Sequence, residues 1–170
     1  MAVTIQYLGR DQGGTNGVTR EYAVADGATV YDGEFVYLAD GRVTSASIAG
    51  KRLLGTVVGG NTADLDRSYS ASATGDTAGT VKVLVNVERD ARYLLKADNV
   101  GTTLAVTHVD SYFDLVGNPG SQLVDSSTVL ATSGQVKLIN FNPGIRGTDS
   151  TYGIYTIAEN EATPDDIGAS

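Results

Sequence analysis

The chain of 170 residues contains no cysteine and no tryptophan, one histidine, one methionine and three prolines. Without cysteine there is no disulfide framework, no thiolate zinc knuckle and no thiol nucleophile, and the redox compartment stays open. The opening Met1-Ala-Val-Thr-Ile-Gln-Tyr lacks the basic segment and long apolar stretch of a signal peptide. No run in the sequence approaches the roughly 20 apolar residues of a membrane span. The expectation is a soluble protein made in the cytoplasm, with no membrane partner. Basic residues are also scarce, 12 against 20 acids, giving a net charge of −8. Nucleic-acid binding draws its affinity from clustered Lys and Arg on phosphates, and no basic run or patch exists here, so no nucleic-acid partner is expected. Most of the acids are Asp, a residue of turns rather than helices, so helix should be rare.

What the chain does have is β pattern. Asp26-Gly27, Asp32-Gly33 and Asp40-Gly41 punctuate a stretch of Val, Tyr and Phe, and Asp-Gly is a strong signal for a tight hairpin turn. Ala28–Tyr31 and Glu34–Leu38 are strand-length runs of strand-formers. Further strands are predicted at Leu53–Val58, at Val81–Val87 with alternating valines, at Arg92–Ala97, Thr103–Val109, Tyr112–Val116, Gln135–Phe141 and Tyr152–Ala158. Near the N-terminus Val3, Ile5 and Tyr7 alternate with Thr4 and Gln6 before a Gly-rich link. This reads as an extended arm, with a first strand of the main sheet as the other reading. Residues 62–79 form a long polar loop, a candidate contact element with room for a short helix at 63–67. The fold class is therefore all-β: two small β-barrel or β-sandwich units, residues 21–88 and 89–158, after an N-terminal arm 1–20 and before an acidic polar tail 159–170.

No catalytic, cofactor or metal constellation accompanies this pattern. His108 falls in the predicted strand on the face of Leu104 and Val106, which suggests a hydrogen-bonded structural histidine. A Ser-His-Asp set could recruit Asp110 or Asp114, but the chain has no Gly-x-Ser-x-Gly elbow. Asn61, Asp64 and Asp66 resemble the start of a calcium loop, yet counting from Asp64 the sixth and twelfth positions are Tyr69 and Gly75 rather than Gly and Glu. Asp165-Asp166 is a bare acidic pair, and Gly55–Gly60 lacks the Lys and Ser/Thr of a phosphate loop. The nine tyrosines are spread over both units and should be mainly core and edge. An enzyme is not expected.

Two stretches carry a family resemblance. The first runs from Gly33-Glu-Phe-Val-Tyr-Leu-Ala-Asp-Gly-Arg-Val through Gly50-Lys-Arg-Leu-Leu-Gly-Thr-Val-Val-Gly-Gly to Gly79-Thr-Val-Lys-Val-Leu-Val-Asn-Val-Glu-Arg-Asp. The second joins Tyr112-Phe-Asp-Leu-Val-Gly, Gly120-Ser-Gln-Leu-Val-Asp, Gln135-Val-Lys-Leu-Ile-Asn-Phe-Asn-Pro-Gly and Tyr155-Thr-Ile-Ala-Glu-Asn. In order and content these segments, within residues 28–160, resemble the small β-rich capsid decoration, or cement, proteins of tailed bacterial and archaeal viruses. The resemblance implies a structural virion protein on the capsid exterior that stabilises the major capsid protein by added interface, in contact with neighbouring copies of itself as dimer or trimer, with no cofactor. Contacts are expected on the arm at Val3, Ile5 and Tyr7, on the long loop at Asp64, Asp66 and Tyr69, and on the tail. The alternative reading is a carbohydrate-binding or adhesin β module; a virion-associated hydrolase is a third.

Overall fold

The computed structural model describes residues 5–10 (of whose side chains only Ile5), 18–46, 49–61, 66–72, 79–88, 90–141 and 151–158. In chain order the strands are β1 (Ile5–Arg10), β2 (Thr19–Ala23), β3 (Thr29–Tyr31), β4 (Phe35–Ala39), β5 (Arg42–Ser45), β6 (Gly55–Gly60) and β7 (Ser68–Ser70). There follow β8 (Lys82–Asn86), β9 (Ala91–Lys96), β10 (Tyr112–Phe113), β11 (Leu115–Val116), β12 (Leu123–Val124), β13 (Val136–Phe141) and β14 (Tyr152–Ile157). The protein is all-β, and a 3-10 turn at Val106–His108 is the one helical element among the described residues.

Two five-stranded sheets carry the fold. The first has the order β2-β8-β6-β4-β5, the second β1-β9-β14-β13-β10, and the two-stranded ribbons β3-β7 and β11-β12 accompany them. All ladders are antiparallel. Short parallel bridges tie Val24 to Val43 and Ala97 to Val124. The N-terminal segment, read from sequence as an arm or as a first strand, contributes β1 to the edge of the second sheet, where Ile5 lies opposite Leu95 and is buried.

Turn chemistry explains where the chain reverses and where it crosses over. Asp40 and Gly41 both have positive φ, 48° and 76°, and Ala39 pairs with Arg42 across them. That is the two-residue hairpin turn the sequence predicts, and Gly41 is favoured by backbone conformation alone, since a Cβ there would meet open space. The other two Asp-Gly pairs are not hairpin turns. Asp32-Gly33 links β3 to β4, strands that belong to different sheets, because the Gly33 N–H is drawn to Val57 O at 2.7 Å and β3 pairs instead with β7. The long polar loop therefore contains a strand, with Tyr69 buried opposite Val30.

Other elements also depart from expectation. The strand predicted at Thr103–Val109 is replaced by the 3-10 turn, whose cause is local: the Ala105 N–H donates to His108 Nδ1 at 3.1 Å and the His108 N–H donates to Ala105 O at 3.0 Å. A side chain that bonds the nearby backbone competes with a sheet ladder. Tyr112–Val116 is split at Asp114, β10 pairing with β13 and β11 with β12. The helix expected at 63–67 falls mostly outside the described residues, as does the tail 159–170; Asp66 and Arg67 form a bend and turn.

Two apolar cores result. One gathers Val24, Val30, Val36, Val43, Val57, Tyr69, Val83 and Val85. The other combines Ile5, Tyr93, Leu95, Phe113, Leu138 and Tyr155 of the second sheet with Phe35, Tyr37, Ala46 and Leu53 from the first half of the chain. Strand alternation sends successive β4 residues to different cores: Phe35 and Tyr37 to the second, Val36 and Leu38 to the first. The Phe35 ring meets Tyr93 edge-on, with centroids 4.8 Å apart. Truncating a fully buried aromatic costs about 3–5 kcal/mol, whereas a surface position usually changes stability by within about 0.5 kcal/mol. Urea unfolding should therefore place Phe35→Ala well below Leu84→Ala, whose parent side chain is 41% exposed; equal losses would contradict the shared core.

Candidate functional site

The most developed polar cluster lies on the seam where the second half of the chain packs on β4 and β5. Its centre is Gln122, a fully buried side chain. The Phe35 N–H donates to Gln122 Oε1 at 2.8 Å, and Gln122 Nε2 donates to Phe35 O at 2.9 Å and to Ser45 Oγ at 3.2 Å. A primary amide carries the same donor and acceptor as a peptide group. Gln122 thus extends the β4 ladder by one side chain, from a residue 87 positions away. Gln135, also buried, repeats the device: the Leu115 N–H donates to its Oε1 and its Nε2 donates to Lys51 O, both at 2.8 Å.

Glu34 stands beside this pair, 2% exposed. Its carboxyl accepts from the Tyr31 N–H at 3.0 Å, from the Gly120 N–H at 2.7 Å and from Ser45 Oγ at 3.4 Å. Removal from water pushes its pKa up to about 7, and the three hydrogen bonds only partly offset that. Gly120 is held at φ 76°, and a Cβ on it would come to 3.0 Å from the Tyr31 ring. The 117–122 loop is thereby seated on the β3–β4 turn.

Other carboxylates serve turns. Burial opposes ionisation of Asp98, but donation from Ser126 N–H, Ser126 Oγ and Val100 N–H holds it below the usual range. Burial raises the pKa of Asp114. Ser127 caps Asp125 through its N–H and hydroxyl. His108 uses Nδ1 as an acceptor for its own turn, the structural role the sequence suggests. Among the described residues no group of three or more His, Cys, Asp or Glu could hold a metal ion, and no helix is long and apolar enough to cross a membrane.

Among the described residues, those singled out from sequence serve the chain's own packing and turns. Ile5 is packed in the second core and Tyr69 in the first. Burial, aided by the hydrogen bond its hydroxyl donates to Asp32 Oδ1 at 2.9 Å, raises the Tyr69 pKa to about 12. Asp66 accepts from Ser68 Oγ and the Ser68 N–H, and the hydroxyl bond lowers its pKa. The backbone of Tyr7 pairs opposite Tyr93; its side chain, and Val3 and Asp64 entirely, lie outside the described residues. Sequence reasoning missed Glu34, Gln122 and Gln135. The available signal for Glu34 was a charged residue fused to the apolar run Phe35–Leu38; nothing local marks the glutamines.

No protein-family model, curated protein or solved structure matches the chain.

The seam makes a direct prediction. Gln122→Leu keeps approximate volume but leaves the buried Phe35 N–H without its acceptor, and an orphaned buried donor costs about 1–3 kcal/mol. Chemical denaturation should show that loss, together with faster hydrogen exchange at the Phe35 amide. Unchanged stability and exchange would mean that the amide pair contributes nothing.

Proposed function

We propose that the chain is a structural virion protein that binds the outside of an icosahedral tailed-virus capsid and braces the major capsid protein through added interface. The observation that carries this reading is the use made of buried polar side chains. Glu34, Gln122, Gln135 and the Asp98–Ser126 pair each join separate stretches of backbone. Polar chemistry directed at cross-bracing suits a load-bearing block. The family resemblance of residues 28–160 adds to it, and the acidic balance raises no conflict on a shell exterior that does not touch packaged DNA.

Contacts on this reading come from backbone edges and loops. Among the described residues β1 has a strand partner on one side only, and a free edge of six residues can accept a strand from a neighbouring subunit or copy. Ile5 and Tyr69 are buried in the chain's own cores, so on this reading the β1 edge, the long loop around Asp66 and the C-terminal tail are the contact elements. A carbohydrate-binding module would instead need an exposed aromatic platform, and every tyrosine whose side chain is described is buried or half-buried.

Electron cryomicroscopy of the particle that co-purifies with the protein from its native source tests the proposal. Regularly arrayed copies on the capsid exterior are expected, and shells stripped of the protein should regain resistance to heat when the purified chain is added back. A free monomer that leaves such shells unbound and no more heat-resistant would overturn it.

A further inference from the structure

The chain's single histidine closes a turn that its own sequence does not favour. Thr102-Thr-Leu-Ala-Val-Thr-His-Val109 has the composition of a strand, yet Val106–His108 is a 3-10 turn. Within it the His108 N–H donates to Ala105 O at 3.0 Å and the Val109 N–H to Val106 O at 3.2 Å. The side chain completes the turn, because the Ala105 N–H donates to His108 Nδ1 at 3.1 Å. None of the residues Val106–His108 is buried, so this backbone borders water. Leu104 on one side is buried in the second core and Val109 on the other packs against it, which anchors both ends.

A ring nitrogen accepts such a bond only while it carries a lone pair. With the turn closed, Nδ1 is therefore unprotonated and the proton of the neutral imidazole sits on Nε2. An imidazolium has an N–H at both positions, and its Nδ1–H would face the Ala105 N–H, donor against donor. The surroundings offer nothing to hold the cation in that pose. The Phe113 ring meets His108 edge-on, with centroids 6.5 Å apart. Strand β13, packed against the turn, bears Lys137 as its ionisable residue, and β10 bears Tyr112. Lys137 pairs with Asp110 at 3.0 Å and lies over the Tyr112 ring, so the carboxylate that follows the turn is already engaged. Among the described residues no carboxylate pairs with His108.

We infer that the 105–108 turn is an acid-sensitive clasp, closed by neutral His108 and opened toward the extended conformation when Nδ1 takes a proton. The sign follows from linkage: the closed turn binds one proton fewer than the open turn, so falling pH favours opening and rising pH favours closure. Loss of the hydrogen bond changes the closing equilibrium by on the order of tenfold. The segment carries Val106, 69% exposed. Acid thus alters how an apolar side chain is presented at the margin of the second sheet, while Leu104 keeps its place in the core.

The test is NMR of the full chain between about pH 8 and about pH 5, a range that spans the ordinary imidazole value of about 6.5. At the alkaline end the ring nitrogens should report the Nε2–H tautomer, with a coupling across the bond from the Ala105 amide to Nδ1. On acidification the Ala105 amide should shift together with the imidazole signals, and the backbone couplings of Val106 and Thr107 should rise toward extended values. Protection of the Ala105 amide, corrected for intrinsic exchange, should fall by on the order of tenfold. His108→Asn, whose Oδ1 stands near the place of Nδ1, should keep the turn and lose the pH dependence. His108→Phe offers no acceptor and should leave the Ala105 amide unprotected at every pH. If either variant does not fold, the wild-type titration decides alone. An Nδ1–H tautomer at the alkaline end, an Ala105 amide indifferent to protonation of the ring, or a pH dependence that survives His108→Asn overturns the clasp.

Discussion

Strand β4 is the element on which both halves of the molecule depend. It is buried on both faces, so Phe35 and Tyr37 complete one core while Val36 and Leu38 complete the other. The first core is drawn wholly from residues 24–85, whereas the second borrows Phe35, Tyr37, Ala46 and Leu53 from the first half of the chain. A unit of some 60–70 residues alone buries only about 60% of its unfolded surface and is marginal. Lending two aromatic residues and Leu53 across the seam relieves that limit for the second sheet without metal or disulfide. The consequence is cooperativity: a defect at Phe35 is felt at Tyr93, in a strand 58 positions later.

The seam uses amides because loops meet strands there. A loop cannot continue a ladder at regular spacing, yet the β4 backbone at Phe35 still needs its donor and acceptor satisfied once water is excluded. Gln122 meets both requirements with one planar group, and Phe35 O then accepts from the Ala46 N–H as well as from Gln122. Gln135 does the same work between Leu115 and Lys51. Glu34 differs in kind, because its burial carries an electrostatic cost that a glutamine would avoid. Such groups persist where their charge state matters or where only acceptors fit, and facing three donors it satisfies the second condition outright.

Local pattern reveals much of the fold. The alternation Val83, Val85 with Leu84 turned outward, the Asp40-Gly41 hairpin and the strands ending at Phe141 and Ile157 follow from period two and turn chemistry. What local pattern misses is decided by distant partners. Asp32-Gly33 has hairpin chemistry, but Val57 captures the Gly33 N–H and β7 captures β3. Tyr112–Val116 reads as one strand, although its two halves find different partners. Thr103–Val109 has strand composition, and a single histidine-to-backbone bond curls it instead. The Glu34–Gln122 cluster is the extreme case, since its members are separated by most of the chain and no spacing rule joins them.

A molecule braced in this way constrains how it can meet a partner. Most large side chains described in the two sheets are buried in the cores, and the large apolar residues left exposed among those described are Val18, Val58, Leu84, Val100, Val106 and Val129, with Val58 and Leu84 on the adjacent strands β6 and β8. Affinity on such a surface has to come from many small contacts and from backbone edges, and it rises steeply when copies are held in an array. For the proposed role this would be an advantage: an isolated copy would present little to aggregate, while a shell that repeated the same site many times would bind it firmly.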